Sequence, residues 1–111
     1  MIDWVRVAEL RDDVGADGFD EVVEIFLDEM AEALAVLDVA VGAPDRMAAQ
    51  MHFLKGGTLN LGFRDLARAC SEGEVAARDG RAPAALVTDV RSLFEASRSA
   101  LFEGLSQGRA A

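Results

Sequence analysis

Apolar positions recur at steps of three and four along most of this chain. Short breaks at Gly15, Gly42-Ala43-Pro44-Asp45, Gly62 and Gly80-Arg81-Ala82-Pro83 cut that rhythm into segments. Such spacing lines one side of an α-helix, so each segment reads as an amphipathic helix. Asp3 is suited to cap a first, short helix running to about Val14, with Trp4, Val7, Ala8 and Leu10 as apolar contacts and Gly15 as its stop. A second, long helix starts at Asp17-Gly18, where the positive end of the helix dipole favours the acids Asp20 and Glu21. Phe19, Val22, Val23, Phe26, Met30, Leu34, Leu37 and Val41 form its buried stripe, while Glu24, Asp28, Glu32 and Asp38 mark the wet side.

Pro44 fits a first helical position and Asp45 a first turn, so a third helix runs from there to about Leu61, with Gly62 as its end. Phe63, Leu66, Ala69, Cys70, Gly73 and Ala77 mark a fourth, reaching about Asp79, in which Gly73 is the weak point because glycine costs backbone entropy in a helix. Pro83 opens a fifth, whose face is Leu86, Val90, Leu93, Phe94, Ser97, Leu101 and Leu105, and the tail from Gln107 is expected to fray. The expected fold is all-α: an antiparallel four-helix bundle with a short N-terminal capping helix. A length of 111 residues leaves room for one core, so residues 1–111 are expected to form a single domain.

Composition supports helices over a sheet. Hydrophobic residues make up 51% of the chain, which suffices for a core, but only 6% are aromatic and tyrosine is absent. A net charge of −9 argues against a broad grip on nucleic acid or an anionic membrane, both of which demand a basic face. No apolar run approaches the roughly 20 residues that span a bilayer, and Met1-Ile2-Asp3-Trp4 does not open a secretory signal, so a soluble, cytoplasmic protein is expected. Cys70 is the sole cysteine and reads as a small packing residue, and Met47 and Met51 as core filler. No heptad seam beyond the bundle core demands a partner copy, so a monomer is expected.

The chemistry gathers on the third helix. His52 and Lys55 are the only histidine and the only lysine in the chain, three positions apart. At about 100° per residue, Ala48, His52, Lys55, Gly56 and Leu59 share one face, and Met47, Gln50, Leu54, Thr58 and Leu61 fall towards the other. The second face supplies the core contact, which leaves His52 free to face water. A neutral imidazole, with an ordinary pKa of about 6.5, is a good nucleophile near neutral pH, and one ring nitrogen can take a phosphoryl group while the other keeps its proton. Lys55 can offset the charge of that group, and Gly56 removes a side chain that would crowd an approaching partner. Two mid-helix glycines cost about 1 kcal/mol each relative to alanine, and close approach is a reason to carry them.

The run Ala49-Gln50-Met51-His52-Phe53-Leu54-Lys55-Gly56-Gly57-Thr58-Leu59-Asn60-Leu61-Gly62 resembles the signature of histidine-containing phosphotransfer (HPt) domains, His-x-Leu-Lys-Gly followed by small residues and a closing apolar-Gly pair. The helix order on either side also fits that family. The resemblance implies that His52 is the phosphoacceptor, Lys55 the phosphate-facing cation and Gly56 the clearance residue. It implies a shuttle in which a phosphorylated receiver aspartate, or a (hybrid) histidine kinase, supplies the phosphoryl group and a second response-regulator receiver takes it. Mg²⁺ would belong to the receiver, and this chain would need no cofactor of its own. Gly57 departs mildly from the serine often found there. Family members often have a Gln or Glu on the following helix that hydrogen-bonds the imidazole; Glu74 is the candidate by spacing, set against its ordinary reading as a surface carboxylate. Arg64 and Arg68 are either solvated charges or part of a docking surface.

Other classes fit less well. A histidine-kinase dimerisation helix would follow its histidine with an acid and, soon after, a proline, where this chain has Phe53 and Gly57. Neither a His-Glu-x-x-His spacing nor a Gly-x-x-x-x-Gly-Lys-Ser/Thr loop occurs, so no metal-dependent or ATP-dependent kinase activity of the chain itself is expected. An adaptor that binds receivers without carrying phosphate is the alternative from a different class, and the pairing of His52 with Lys55 weighs against it.

Overall fold

The computed structural model describes residues 1–110. Five helices follow one another: α1 (Trp4–Val14), α2 (Ala16–Ala40), α3 (Pro44–Asn60), α4 (Arg64–Arg78) and α5 (Ala84–Ser106). Their ends follow local chemistry. The Asp3 side chain accepts from the backbone N–H of Arg6 and so caps α1, and Pro44 opens α3 where its missing N–H has no helical role. Val41, expected inside the α2 stripe, instead sits past the end of the helix in extended backbone and is exposed. Ala40 takes its place in the core.

Helix α2 packs on α3, α3 on α4, α4 on α5, and α5 back on α2, so the four longer helices surround one core. Phe63, Leu37, Met47, Met51, Leu54, Leu61, Leu66 and Leu101 are its largest fully buried side chains. Arg91 of α5 pairs with Asp38 of α2 at 2.9 Å across the outside of that core.

The N-terminal segment is stitched to the α3–α4 turn. Ile2 bridges Phe63, the Asp3 N–H donates to the Gly62 carbonyl at 2.7 Å, and the Arg64 N–H donates to the Met1 carbonyl at 3.1 Å. Gly62 makes this possible. Its φ is +71°, and a Cβ there would stand 2.5 Å from the Asp3 carbonyl oxygen, so both the backbone conformation and the close approach require glycine. At the same end of the molecule the Trp4 ring lies flush against Gly104 of α5, where a Cβ would overlap it.

The chain after α5 does not fray over the described residues. The Arg109 guanidinium lies 5.1 Å over the Trp4 ring, the Arg109 N–H donates to the Gly104 carbonyl at 3.0 Å, and Ala110 is buried. Trp4 supplies a docking surface that apolar periodicity in the tail does not reveal. Ala111 lies outside the described residues.

Candidate functional site

Helix α3 is anchored by one face and displays chemistry on the other. Met47, Met51 and Leu54 are at most 1% exposed, and each such burial stabilises by about 1.5–3 kcal/mol, enough to fix the rotation of the helix. Thr58 is buried too, its hydroxyl donating back to the Lys55 carbonyl at 2.7 Å. With that face fixed, the His52 side chain projects outward and is 65% exposed. Ala48, expected on the exposed face, is buried instead, because it lies at the edge of α3 that faces Arg78 of α4.

Glu74 of α4 reaches the imidazole. Its Oε1 is 3.2 Å from His52 Nδ1 and 3.6 Å from Lys55 Nζ, while its Oε2 accepts from Arg78 Nε at 3.1 Å and Nη2 at 2.6 Å. The Glu74 side chain is only 12% exposed, so it is an inter-helix residue and not a free surface carboxylate. The Arg78 hydrogen bonds are the main reason its carboxyl is held below the usual range; burial opposes them and the His52 hydrogen bond adds to them. A carboxylate so ionised can only accept. The contact therefore selects the tautomer with the proton on Nδ1, which donates to Glu74 and leaves the Nε2 lone pair facing solvent.

The surroundings of the ring are open. A Cβ on Gly56 would meet nothing within 4 Å, whereas one on Gly57 would stand 3.4 Å from Met30 Cγ of α2. Beyond these glycines a groove of 320 Å³ runs between α2 and α3, lined by Phe26, Met30, Phe53, Leu54, Gly56 and Gly57. Phe53, in the lining, and Leu59, on the same helix, are more than half exposed.

The structure thus brings together His52, Lys55 and Glu74 and leaves Gly56 clear. Arg78 was not expected from sequence, although its position four residues after Glu74 on one helix was a usable signal. Arg68 pairs with Asp65 at 3.7 Å, away from this group. Cys70 is fully buried and its thiol is pushed up to about 12 by burial, with Lys55 opposing weakly, so it is an inert packing residue.

Comparison with known proteins fits this arrangement. The crystal structure of histidine-containing phosphotransfer protein B (HptB) from Pseudomonas aeruginosa PAO1 matches with a TM-score of 0.83 and 28% sequence identity, over 97% of this chain and 93% of that one. No curated protein sequence matches. The Hpt domain family matches residues 21–100, a span that holds His52, Lys55, Gly56, Glu74 and Arg78, and the chain belongs to that family.

Proposed function

We propose that the chain is the phosphocarrier of a two-component phosphorelay, with His52 as the residue that carries the phosphoryl group. The observation that carries this reading is the exposed Nε2 of an imidazole whose Nδ1 is held by an ionised carboxylate, in a chain of the Hpt family. The Nε2 lone pair attacks the phosphorus of a receiver's aspartyl phosphate; the N–P bond forms as the acyl P–O bond breaks, and the aspartate leaves as a carboxylate. The ring then carries positive charge, which Glu74 offsets through Nδ1–H, and Lys55 turns to the phosphoryl oxygens. Attack by a second receiver aspartate reverses these steps. A histidine kinase is the other donor this surface would accept.

Positioning and the Mg²⁺ come from the receiver; the chain supplies the nucleophile and needs neither a cofactor nor ATP. Gly56 is the clearance that lets the receiver's active site close over the ring. The closed circuit of contacts from α2 through α5 supports an antiparallel four-helix bundle forming one domain, with α1 as its cap. No helix among the described residues is long and apolar enough to cross a membrane. We read the chain as a cytoplasmic monomer that meets receiver and kinase domains and neither nucleic acid nor membrane.

The test is phosphoryl transfer from a panel of ³²P-labelled receivers to the wild-type chain and to His52→Gln. Acid-labile label on the wild type, absent from the variant, is expected. Equal labelling of a folded His52→Gln protein would remove His52 as the acceptor.

A further inference from the structure

We infer that Arg78 is a positioning residue for the His52 imidazole, acting through Glu74. The ring geometry stands by itself; the consequence for transfer rests on the phosphocarrier reading. Glu74 Oε1 has two competing donors, His52 Nδ1 at 3.2 Å and Lys55 Nζ at 3.6 Å. The ammonium is a permanent cation and the imidazole is not, so a carboxylate tethered at one oxygen alone would turn towards Lys55 and release the ring. Arg78 prevents that turn. Two donors of one rigid guanidinium plane meet Oε2, at 3.1 and 2.6 Å, which fixes that oxygen and, through the planar carboxylate, the place of Oε1 beneath Nδ1.

Arg78 also matters once the site is loaded. When Nε2 bears a phosphoryl group, Lys55 is drawn to its oxygens and leaves Glu74. A carboxylate only 12% exposed would then be held by the phosphorylated ring alone, had Arg78 not stayed in place. With Arg78 bound, Glu74 stays ionised and keeps accepting from Nδ1–H of the positive ring. Lys55 is thereby free to serve the phosphate alone. Arg78 itself is 63% exposed, so water screens the pair and its contribution to fold stability is small. The effect is on orientation.

The experiment is ¹⁵N NMR of the His52 ring, above the imidazole titration, in wild type, Arg78→Ala and Arg78→Lys, with phosphoryl transfer from a labelled receiver measured on the same samples. In wild type the ring nitrogens should report a proton on Nδ1. In Arg78→Ala they should move towards the exchange-averaged values of a free imidazole while melting changes little, and transfer should slow by up to about tenfold, the lower end of what losing an orienting partner costs a metal-bound histidine. Arg78→Lys, a point charge without the fork, should restore only part of both. Unchanged ring-nitrogen shifts in Arg78→Ala overturn the inference, whatever the rates do. A wild-type chain that accepts no phosphoryl group from any receiver would sink the phosphocarrier reading instead, with the nitrogen shifts still deciding the role of Arg78.

Discussion

Gly73 of α4 and Met51 of α3 are in close contact: a Cβ on Gly73 would stand 2.9 Å from Met51 Cε and 3.0 Å from its Sδ. Each immediately precedes a member of the site, Glu74 and His52 respectively. This contact therefore sets how near the carboxylate can come to the ring. Gly73→Leu should cost about 1–3 kcal/mol by overpacking and lengthen the Nδ1–carboxylate contact. Gly73→Ala should be nearly neutral, because Met51 is flexible and the helix gains about 1 kcal/mol from losing a glycine. Urea titrations of both variants, with His52 ring shifts as the second readout, check this; a Leu variant as stable as wild type would refute it.

At Gly56 stability and function should part company. The site of its missing Cβ is open, so Gly56→Ala should stabilise the helix by up to about 1 kcal/mol, and Gly56→Leu should still fold. On the phosphocarrier reading the same leucine stands where a receiver closes over His52, and a displacement of about 1 Å at reacting atoms can already cost on the order of 10²-fold in rate. A slowdown of at least about tenfold in receiver-to-His52 transfer, at undiminished melting temperature, is the expected result. Equal transfer rates with every receiver tested would remove Gly56 from the docking geometry.

Ser97, fully buried on α5, has a hydroxyl with no hydrogen-bond partner among the described residues. An unsatisfied buried hydroxyl is a net cost, so Ser97→Ala should raise stability by about 1 kcal/mol and leave phosphoryl transfer unchanged. Calorimetry of the two proteins decides it, a lower melting temperature in the variant being the contrary outcome.

Acid should weaken the fold slightly through Glu74, its main partner Arg78 being largely exposed. Its folded-state carboxyl is held below the ordinary 4.5, with the Arg78 hydrogen bond as the first cause. As pH falls below about 4.5 the unfolded chain takes up a proton at this position before the folded chain does. The stabilisation is therefore complete above 4.5 and disappears as pH drops through the lower, folded value. Denaturation of wild type and Glu74→Gln should differ most near neutrality and converge in strong acid; a gap that widens on acidification would reverse the assigned sign.

Much of the architecture was legible because it depends on local rules. Pro44 as a helix start, Gly62 as a stop and the three-and-four spacing of Met30, Leu34 and Leu37 all act within a few residues of themselves. The outward aim of His52 was legible for the same reason, since Met47 and Leu54 already claimed the other side of α3. What could not be read was the relation between helices. Whether Glu74 faces water or His52 depends on the rotation of α4, which its packing through Leu66, Cys70, Gly73 and Ala77 fixes and spacing alone does not encode. Ala48 was misplaced for that reason: its neighbour across the seam belongs to another helix. The docked tail depends on Trp4, about a hundred residues away in the chain.

The recognised family segment, residues 21–100, leaves out α1, the start of α2 and the end of α5, yet these carry Trp4, Val7, Leu10, Phe19, Leu101 and Gly104, with Trp4 packed flush on Gly104 and the four apolar side chains in the core. The segment that defines kinship is thus shorter than the segment that must fold. A fragment cut at the kinship boundaries would keep every residue of the His52 group and still lose buried side chains that complete the core beneath it.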